Sequence, residues 1–461
     1  MQSGWISVCL LLVPVVCYGN VARKVDAYVR AEMQKRQIPG VSLAVVRAGR
    51  PVLIRGYGRA NLELDVPATP DTVYQLASIT KTFTATAILL LAQEGKLSLE
   101  DSVRKFLPDA PAAWEGITVR HLLNHTSGIK SYTELLSFLS GMGRAYTQSE
   151  MLKTIYEQPL EFAPGERWKY NNSGYYLLGV IVEKVSGKDY EAFLRERIFQ
   201  PAGMTATRLN VKSAIIRGRA AGYTRVASEV RHAEMVHPSQ PFAAGALLST
   251  ARDMARWDAV LYTDRILKLP VLEQMWTPTK LKDGTTHGYG YGWGVRQING
   301  HREIGHGGGI PGFSTYMARF VDDKLSVIVL VNMDGGHAEA LARGIAGYYL
   351  PDLAPKPVTD GPDSGVASRV RQAIHNFVEG RSNVDLLAPQ VRAALTPERT
   401  QQAGNFLKSL GALQSMELLE QQVEGDLRRY RYRVRFASGS VICQVALDRE
   451  DRFVVLLFAP E

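Results

Sequence analysis

The strand-forming segments of this 461-residue chain lie in two groups that are separated by a long helical stretch. Two strands around an Ala48-Gly49 turn are predicted over 41–61, and strand patterns return only after residue 288. Residues 97–240 are mainly helical and loop-like. This order predicts an α+β fold: one antiparallel sheet built from both groups of strands, flanked by terminal helices, with a helical lobe above it.

A proline-rich segment over 351–365 divides the chain and is interpreted as a linker. It separates a large domain over 20–350 from a small accessory α+β domain over 366–461, whose last four strand-like segments predict a meander. In one of these segments apolar residues alternate with arginines. One face of this strand would carry the apolar Tyr430, Tyr432, Val434 and Phe436, and the other the cationic Arg429, Arg431, Arg433 and Arg435. The arginine row suggests an anion-binding face, but we favour an ordinary solvated strand face.

The first 19 residues predict a signal peptide, because they hold no acidic or basic side chain and include an apolar run over 6–16 before a polar start at Asn20. We therefore expect an exported protein, periplasmic or secreted. An uncleaved anchor is the alternative, although the run is shorter than the roughly 20 residues that a membrane span needs. Since no second segment of that length is found, we expect no integral membrane segment after cleavage.

The composition is that of a soluble globular protein, with 46% hydrophobic and 21% charged residues. The net charge of +9 admits anionic partners, but solubility near an anionic envelope is the simpler interpretation, and we expect no nucleic-acid partner. Envelope association through the basic C-terminal domain stays open. After cleavage Cys443 is the only cysteine, so no disulfide or thiolate metal site can form within one chain, and we expect neither metal nor cofactor.

The spacing Ser-x-x-Lys occurs three times in the chain and can pair a nucleophile with a base. On a helix the two side chains share one face, and a lysine amine can take a serine proton once its pKa falls from about 10.4. Ser102 lies in a charged segment, and Ser127 lies in a His-Thr-Ser-Gly turn. Only Ser78 opens a long apolar helix after an extended segment, where its N–H could help to bind an oxyanion. Context therefore separates Ser78 and Lys81 from the other two pairs.

A second candidate is Tyr170-Asn171-Asn172, within PGERWKYNNSGYYLLG. A tyrosine near a lysine ammonium can have its pKa lowered and can shuttle a proton, and Asn172 can orient Lys81 or bond a substrate amide. Asn-Asn-Ser-Gly is also good turn chemistry. Taken alone, the segment is interpreted as a turn.

The segment EIGHGGGIPGF, residues 303–313, carries five glycines around His306. A lipase-type oxyanion loop would require a G-x-S-x-G elbow, which the chain lacks. A phosphate loop would require a helix after the glycines, but Pro311 and a strand-like segment follow. A metal site at His301 and His306 lacks carboxylates or cysteines at ligand spacing, so ordinary core or surface histidines are the better interpretation.

Three motifs in a fixed order resemble those of the class C β-lactamase and penicillin-binding-protein family of serine hydrolases: Ser78-x-x-Lys81, Tyr170-x-Asn172 and His306-x-Gly308. The segments HLLNHTSGI (121–129), PGERWKYNNSGYYLLG and GHGGGIPGF also resemble landmarks of that family. The resemblance covers about residues 22–350 and implies a β-lactamase/transpeptidase-like fold for the large domain.

The resemblance also implies roles for individual residues. Ser78 would be the acylated nucleophile, with Lys81 and Tyr170 as the proton-transfer pair. Substrate binding would involve Asn172, His306, Gly308 and Gly309. The amides of Ser78 and Gly309 would form the oxyanion hole, and a single oxyanion-hole donor typically contributes about 10² to 10³ to the rate. Glycines are expected at 307–309 because the substrate must approach the backbone closely.

His306 marks a departure from the family's drug-resistance members, which carry lysine at this place. A lysine offers a permanent charge to a substrate carboxylate, whereas a histidine with an ordinary pKa of about 6.5 is largely neutral at pH 7. This difference weakens the case for penicillins and for stem peptides with free carboxylates. It leaves room for esterase, amidase or D-aminopeptidase-like chemistry.

The sequence therefore predicts an exported serine hydrolase that acts on ester or amide bonds of a small-molecule or peptide substrate through a Ser78 acyl-enzyme. The substrate classes are a β-lactam, a D-amino acid peptide or amide, or a carboxylic ester. The alternative is a catalytically idle penicillin-binding-like scaffold or cell-envelope binding protein. A broken motif would mark that alternative, and all three motifs are intact.

Overall fold

The computed structural model of the protein describes residues 16–226, 229–335, 337–353, 364–424 and 427–460. In chain order its helices are α1 (Val16–Arg36), α2 (Thr80–Gln93), α3 (Val119–Leu123), α4 (Leu136–Ser140), α5 (Gln148–Tyr156), α6 (Asn172–Ser186), α7 (Tyr190–Leu194), α8 (Gln200–Ala202), α9 (Phe242–Gly245), α10 (Ala251–Val260), α11 (Leu269–Met275), α12 (Ala338–Gly347), α13 (Ser364–Val378), α14 (Pro389–Ala394) and α15 (Pro397–Ser409).

The strands, also in chain order, are β1 (Gly40–Arg47), β2 (Arg50–Asn61), β3 (Val66–Pro67), β4 (Tyr74–Gln75), β5 (Arg208–Leu209), β6 (Tyr223–Val226), β7 (Glu229–His232), β8 (Leu247–Ser249), β9 (Thr279–Lys280), β10 (Thr286–His287), β11 (Gly294–Ile298), β12 (His301–Ile310), β13 (Phe313–Phe320), β14 (Leu325–Val331), β15 (Leu413–Glu424), β16 (Leu427–Phe436), β17 (Gly439–Leu447) and β18 (Phe453–Pro460).

The described residues form two compact units. The first comprises the described parts of Met1–Trp293, Gly305–Arg319 and Lys324–Tyr349, and the second those of Gly294–Ile304, Phe320–Asp323 and Leu350–Glu461. Strand β11 belongs to the second unit, where its Ile298 pairs with Glu424 of β15. Most of the predicted linker lies in 354–363, outside the described residues. The domain limits expected at 350 and 366 therefore stay a prediction.

In the first unit, the part of β12 from Gly305 onward and the part of β13 up to Arg319 continue a sheet in the strand order β12-β13-β14-β1-β2-β3. Strand β1 pairs antiparallel with β2 on one side and with β14 on the other, so early and late parts of the chain share this sheet. Every residue of β14 is buried, and so is every residue of β1 except Arg47. Since successive side chains point to opposite faces, both faces of these strands are covered, in part by α10 and α12.

Helix α2 lies inside the helical part of the first unit. All residues from Thr80 to Leu91 are buried, which matches a sequence that, apart from Lys81, is apolar or small on every side of the helix. It packs against α6 and α9. A short 3₁₀ turn, Ala77–Ile79, leads into it, so the Ser78 side chain stands at the entry of a buried helix.

The second unit contains the predicted four-stranded meander, in which β15 to β18 pair antiparallel in sequence order. On β16 the four predicted apolar residues are buried and the arginines between them are not. Arg433 Nη1 lies 2.8 Å from Glu417 Oε2, and Arg431 Nη1 lies 3.7 Å from Glu420 Oε2. Because these carboxylates come from the neighbouring strand, the contacts favour a solvated strand face, and envelope association through this row stays a prediction.

The α+β class, the antiparallel sheet with flanking helices and the C-terminal β-rich unit are confirmed. Over the described ranges, none of the helices combines the length and hydropathy that crossing a bilayer requires. Residues 1–15 of the predicted signal peptide lie outside the described residues, and α1 begins at Val16. The leader and its cleavage stay predictions.

Candidate active site

Ser78 follows a strained backbone position. Ala77 has φ +48°, in the left-handed region that residues with a Cβ rarely adopt, and such a residue costs about 1–3 kcal/mol unless its surroundings impose it. Leu76 next to it is tied on both sides: its N–H donates to Leu247 O at 2.8 Å, and its carbonyl accepts from Thr315 Oγ1 at 2.8 Å. These contacts hold the turn that leaves Ser78 half-buried at the wall of a cavity.

Lys81 is fully buried one turn further along the chain. Its Nζ lies 3.1 Å from Ser78 Oγ, and it donates to Asn172 Oδ1 at 2.8 Å and to Ala244 O at 2.7 Å. Burial alone holds the pKa of Lys81 well below its ordinary value. A neutral amine has two N–H bonds for the two carbonyl oxygens and one lone pair, which is left for the Ser78 hydroxyl. The uncharged form therefore satisfies all three contacts.

Asn172 is the first residue of α6, and the preceding Asn171 caps that helix by accepting from Gly174 N–H at 2.7 Å. The interpretation of Asn-Asn-Ser-Gly as a turn is therefore wrong, because the same residues suit a helix N-terminus. The Asn172 side chain is used at both ends: Oδ1 accepts from Lys81, and Nδ2 donates to Thr133 Oγ1 at 3.0 Å. This pair of contacts orients the amide oxygen toward Lys81.

Tyr170 lies beside both members of the Ser78–Lys81 pair. Its ring centroid is 4.9 Å from Lys81 Nζ, and its phenol is close enough to the Ser78 side chain for that neighbour to lower its pKa. Burial raises the pKa of the Tyr170 phenol above its ordinary value, and the Ser78 side chain offsets part of the rise. The expected lowering is not found, because it required an ammonium at Lys81 and burial favours the neutral amine there. The Tyr170 phenol therefore keeps its proton at neutral pH.

Two glycines of β12 have different reasons to lack a side chain. A Cβ at Gly308 would lie 2.1 Å from Leu76 O and 2.3 Å from Thr315 Oγ1. At Gly309 a Cβ would meet nothing within 4 Å, and Gly309 lines the cavity with Ser78. The chain's own packing thus requires glycine at 308, in contrast to the substrate approach that we expected, and Gly309 is the open position of the two.

His306 is buried, with 7% of its surface exposed. Its Nδ1 donates to Gly307 O at 2.6 Å, and its Nε2 lies 2.9 Å from Tyr289 OH. Its ring centroid is 6.2 Å from that of Tyr170. The lining of the cavity beside Ser78 includes neither His306 nor Gly308. The substrate contacts predicted for these two residues therefore stay predictions.

The cavity beside Ser78 has a volume of about 230 Å³. Three residues predicted for the site line it, namely Ser78, Asn172 and Gly309. The remaining lining is apolar except for two hydroxyls, and consists of Ala77, Tyr132, Thr133, Phe138, Met142, Val236, Pro241, Ala244, Gly245, Ile310 and Pro311. Among the described residues that line this cavity, none carries a charge.

The beta-lactamase family profile matches residues 25–348 of this chain. The chain belongs to the beta-lactamase family. This result confirms the resemblance to β-lactamase- and penicillin-binding-protein-like serine hydrolases that three motifs predicted over about 22–350.

Relatives of this family member include penicillin-binding protein 4* of Bacillus subtilis (strain 168), which is 33% identical over 438 residues, covering 91% of this chain and 94% of that protein. The octameric penicillin-binding protein homologue from Pyrococcus abyssi is 26% identical, with a TM-score of 0.66 and 94% of both chains covered. The D-amino acid amidase from Ochrobactrum anthropi SV3 is 27% identical, with a TM-score of 0.63, covering 73% of this chain and 98% of that one.

Several residues of the site were missed by the sequence analysis of this beta-lactamase family member. Thr133 fixes the Asn172 amide, Ala244 offers its carbonyl to Lys81, and Thr315 ties β13 to the segment before Ser78. None of the three lies in a recognisable motif. Two of them are threonines that act through their side-chain hydroxyls, and the third uses only its backbone carbonyl. No pattern in the sequence distinguishes them from other threonines and alanines.

Proposed function

We propose that this family member is a serine hydrolase that forms an acyl-enzyme on Ser78 and cleaves an ester or amide whose acyl group is uncharged and largely apolar. The observation that carries the proposal is the environment of Lys81. Lys81 Nζ lies 3.1 Å from Ser78 Oγ and donates to two carbonyl oxygens, so a neutral amine in this position would direct its lone pair to the serine hydroxyl. That arrangement is the one a general base for serine requires.

In the proposed acylation, Ser78 Oγ attacks the substrate carbonyl carbon while its proton passes to Lys81 Nζ. The tetrahedral oxyanion accepts hydrogen bonds from the amides of Ser78 and Gly309. The bond to the leaving oxygen or nitrogen then breaks, and that atom takes the Tyr170 phenol proton, which Lys81 replaces. A water molecule attacks the acyl-enzyme by the same route and releases a carboxylic acid and free Ser78.

The cavity supports the proposed choice of acyl group. With about 230 Å³ it exceeds the 150 Å³ of an apolar protein cavity that holds benzene. A substrate carboxylate would lose part of its hydration there without meeting a cation in the lining, and a free α-ammonium would meet no lining carboxylate. A neutral group about the size of a phenyl ring or a short acyl chain fits better. The D-amino acid amidase among the related structures supports amides as well as esters.

Labelling of Ser78 tests the proposal directly. A fluorophosphonate probe should attach to one residue, identified as Ser78 by peptide mass spectrometry, and Ser78→Ala should abolish both labelling and ester turnover. Ser102→Ala is the matched control, because Ser102 has the same Ser-x-x-Lys spacing, and it should label and turn over as wild type does. Labelling that persists in Ser78→Ala would contradict the proposal.

A pair of esters of equal chain length tests the choice of acyl group. We expect kcat/KM for p-nitrophenyl butyrate to exceed that for the p-nitrophenyl hemisuccinate by about tenfold or more, since an unpaired buried charge costs at least that. A chromogenic cephalosporin and D-phenylalanine p-nitroanilide belong in the same screen. Preference for the hemisuccinate would contradict an uncharged acyl pocket.

Export to the periplasm or medium is part of this proposal and rests on the composition of residues 1–19. N-terminal sequencing of protein expressed with its leader should find Asn20 as the first residue. A mature protein that begins at Met1 and stays with the membranes would instead support the uncleaved anchor.

A further inference from the structure

His125 follows α3 and is hydrogen-bonded to both neighbours of Tyr170. Its carbonyl oxygen accepts from Lys169 N–H at 3.0 Å. Its Nδ1 accepts from Asn171 N–H at 3.2 Å. One residue therefore holds the backbone on either side of Tyr170.

The imidazole of His125 also packs against the Tyr170 ring, with the two centroids 4.5 Å apart and the planes tilted by 48°. Tyr289 and Tyr175 lie next to the same imidazole at 4.7 and 5.1 Å. His125 is only 1% exposed and has φ +63°, a strained value for a residue with a Cβ. A strained and fully enclosed side chain of this kind has little freedom to move, so it restricts the Tyr170 ring as well as its backbone.

The hydrogen bonds of His125 exclude a role as base. Because Nδ1 accepts from Asn171, the hydrogen of the neutral ring is on Nε2, an atom that has no hydrogen-bond partner among the described residues. Burial holds the pKa of His125 well below its ordinary value. The ring thus stays neutral, with its one lone pair already used.

We propose that His125 is a positioning residue for Tyr170, and that the Nδ1 acceptor for Asn171 N–H sets the phenol oxygen in reach of Ser78 and Lys81. The inference rests on the proposed function, because the position of Tyr170 matters for rate only if this group transfers the proton.

Three variants separate this role from a general effect on the fold. His125→Phe keeps an aromatic ring and removes the acceptor. His125→Asn places Oδ1 close to the position of Nδ1, and asparagine tolerates a positive φ. His121→Phe is the matched control, because Nδ1 of His121 also accepts a backbone N–H, from Thr118 at 3.1 Å, in the helix before the same turn.

The readouts are kcat and KM for an ester and the rate of Ser78 labelling by a fluorophosphonate. We expect H125F to lose about 10² in kcat and labelling rate with KM nearly unchanged, since misplacing a reacting group by about 1 Å costs that much. H125N should recover to about tenfold or less below wild type, and H121F should keep kcat to about threefold or better.

Wild-type kcat and labelling in H125F, or equal losses in H125F and H125N, would overturn the inference. If H125F shows no cooperative thermal transition, H125Q replaces it. Glutamine carries its amide beyond the Nδ1 position, so H125Q should lose as much kcat as H125F. Wild-type kcat in H125Q would equally overturn the inference. Absence of Ser78 labelling in the wild type is a distinct result, which contradicts the proposed function and the role of His125 with it.

Discussion

Two Ser-x-x-Lys pairs in this chain share their spacing and differ in their surroundings. Lys81 is fully buried against carbonyl oxygens, and burial lowers its pKa. Lys105 has 57% of its side chain exposed, and its Nζ lies 2.9 Å from Asp101 Oδ2. Solvent and a nearby carboxylate both favour the ammonium form of a lysine. The same spacing therefore leaves one amine exposed and the other enclosed, and only the enclosed one has the lowered pKa that the proposed base requires.

The largest contrast is expected from removing each lysine. Lys81→Met keeps an unbranched side chain and removes the amine, so kcat/KM for an ester should fall by about 10³ or more. Lys105→Met removes only a surface ion pair, which is worth about 0–1 kcal/mol, and should leave kcat/KM unchanged. Steady-state kinetics with a thermal melt of each variant checks the pair. Equal losses of kcat/KM in Lys81→Met and Lys105→Met would contradict a functional difference between the Ser78–Lys81 and Ser102–Lys105 pairs.

Tyr170 lies beside Lys81 and is the proposed partner of Lys81 in proton transfer. Tyr170→Phe removes the phenol proton and should lower kcat by about 10² to 10³, with KM little changed, because proton transfer contributes to the transition state only. Tyr176→Phe, on α6, is the control and should retain wild-type kcat. A wild-type kcat in Tyr170→Phe would remove Tyr170 from the proton route and leave Lys81 to act alone.

Asn172→Asp would give Lys81 the carboxylate neighbour that Lys105 already has. A carboxylate 2.8 Å from Nζ stabilises the ammonium and raises the pKa of Lys81. The active neutral amine is populated above that pKa, so kcat/KM rises with pH, and in the variant this rise should move to higher pH. At any pH below the pKa of Lys81, the rate should fall about tenfold for each unit by which that pKa rises.

The pH profile of kcat/KM measures this shift. In the wild type the rise should be centred well below the ordinary lysine value of 10.5, since the pKa of Lys81 is lowered. Asp101→Asn is the reciprocal change at the other pair and should leave the profile as it is. An Asn172→Asp profile that coincides with the wild type would show that the Lys81 amine is not the titrating base.

The smallest effect on rate is expected on β12, where the neighbouring Gly308 and Gly309 differ in their surroundings. Gly309→Ala meets no protein atom within 4 Å and should fold normally, with kcat/KM lowered by about 10-fold or less as the methyl narrows the cavity. Gly308→Ala meets Leu76 O at 2.1 Å and should lose about 2 kcal/mol of stability. Thermal melts and ester kinetics distinguish them. A lower melting temperature for Gly309→Ala than for Gly308→Ala would reverse this assignment.

Much of the fold could be predicted because its signals are local. The strands GVSLAVVR and LSVIVLV are mostly apolar, and the run that begins at Thr80 is too long for a strand. The start of α6 was not predictable in the same way. Asn-Asn-Ser-Gly serves a turn and a helix N-terminus equally well, and the cap from Asn171 to Gly174 becomes visible only in three dimensions.

Residue types and spacing were sufficient to identify Ser78, Lys81, Tyr170 and Asn172 as candidates. The reason is that side-chain chemistry and the order of the motifs along the chain can both be determined from the sequence. The protonation states of these groups depend on folding. Lys81 meets Asn172 and Ala244 from 91 and 163 residues away, and its desolvation is the sum of all that surrounds it. Burial and distant partners are absent from any local pattern, so only the tertiary structure distinguishes the enclosed Lys81 from the exposed Lys105.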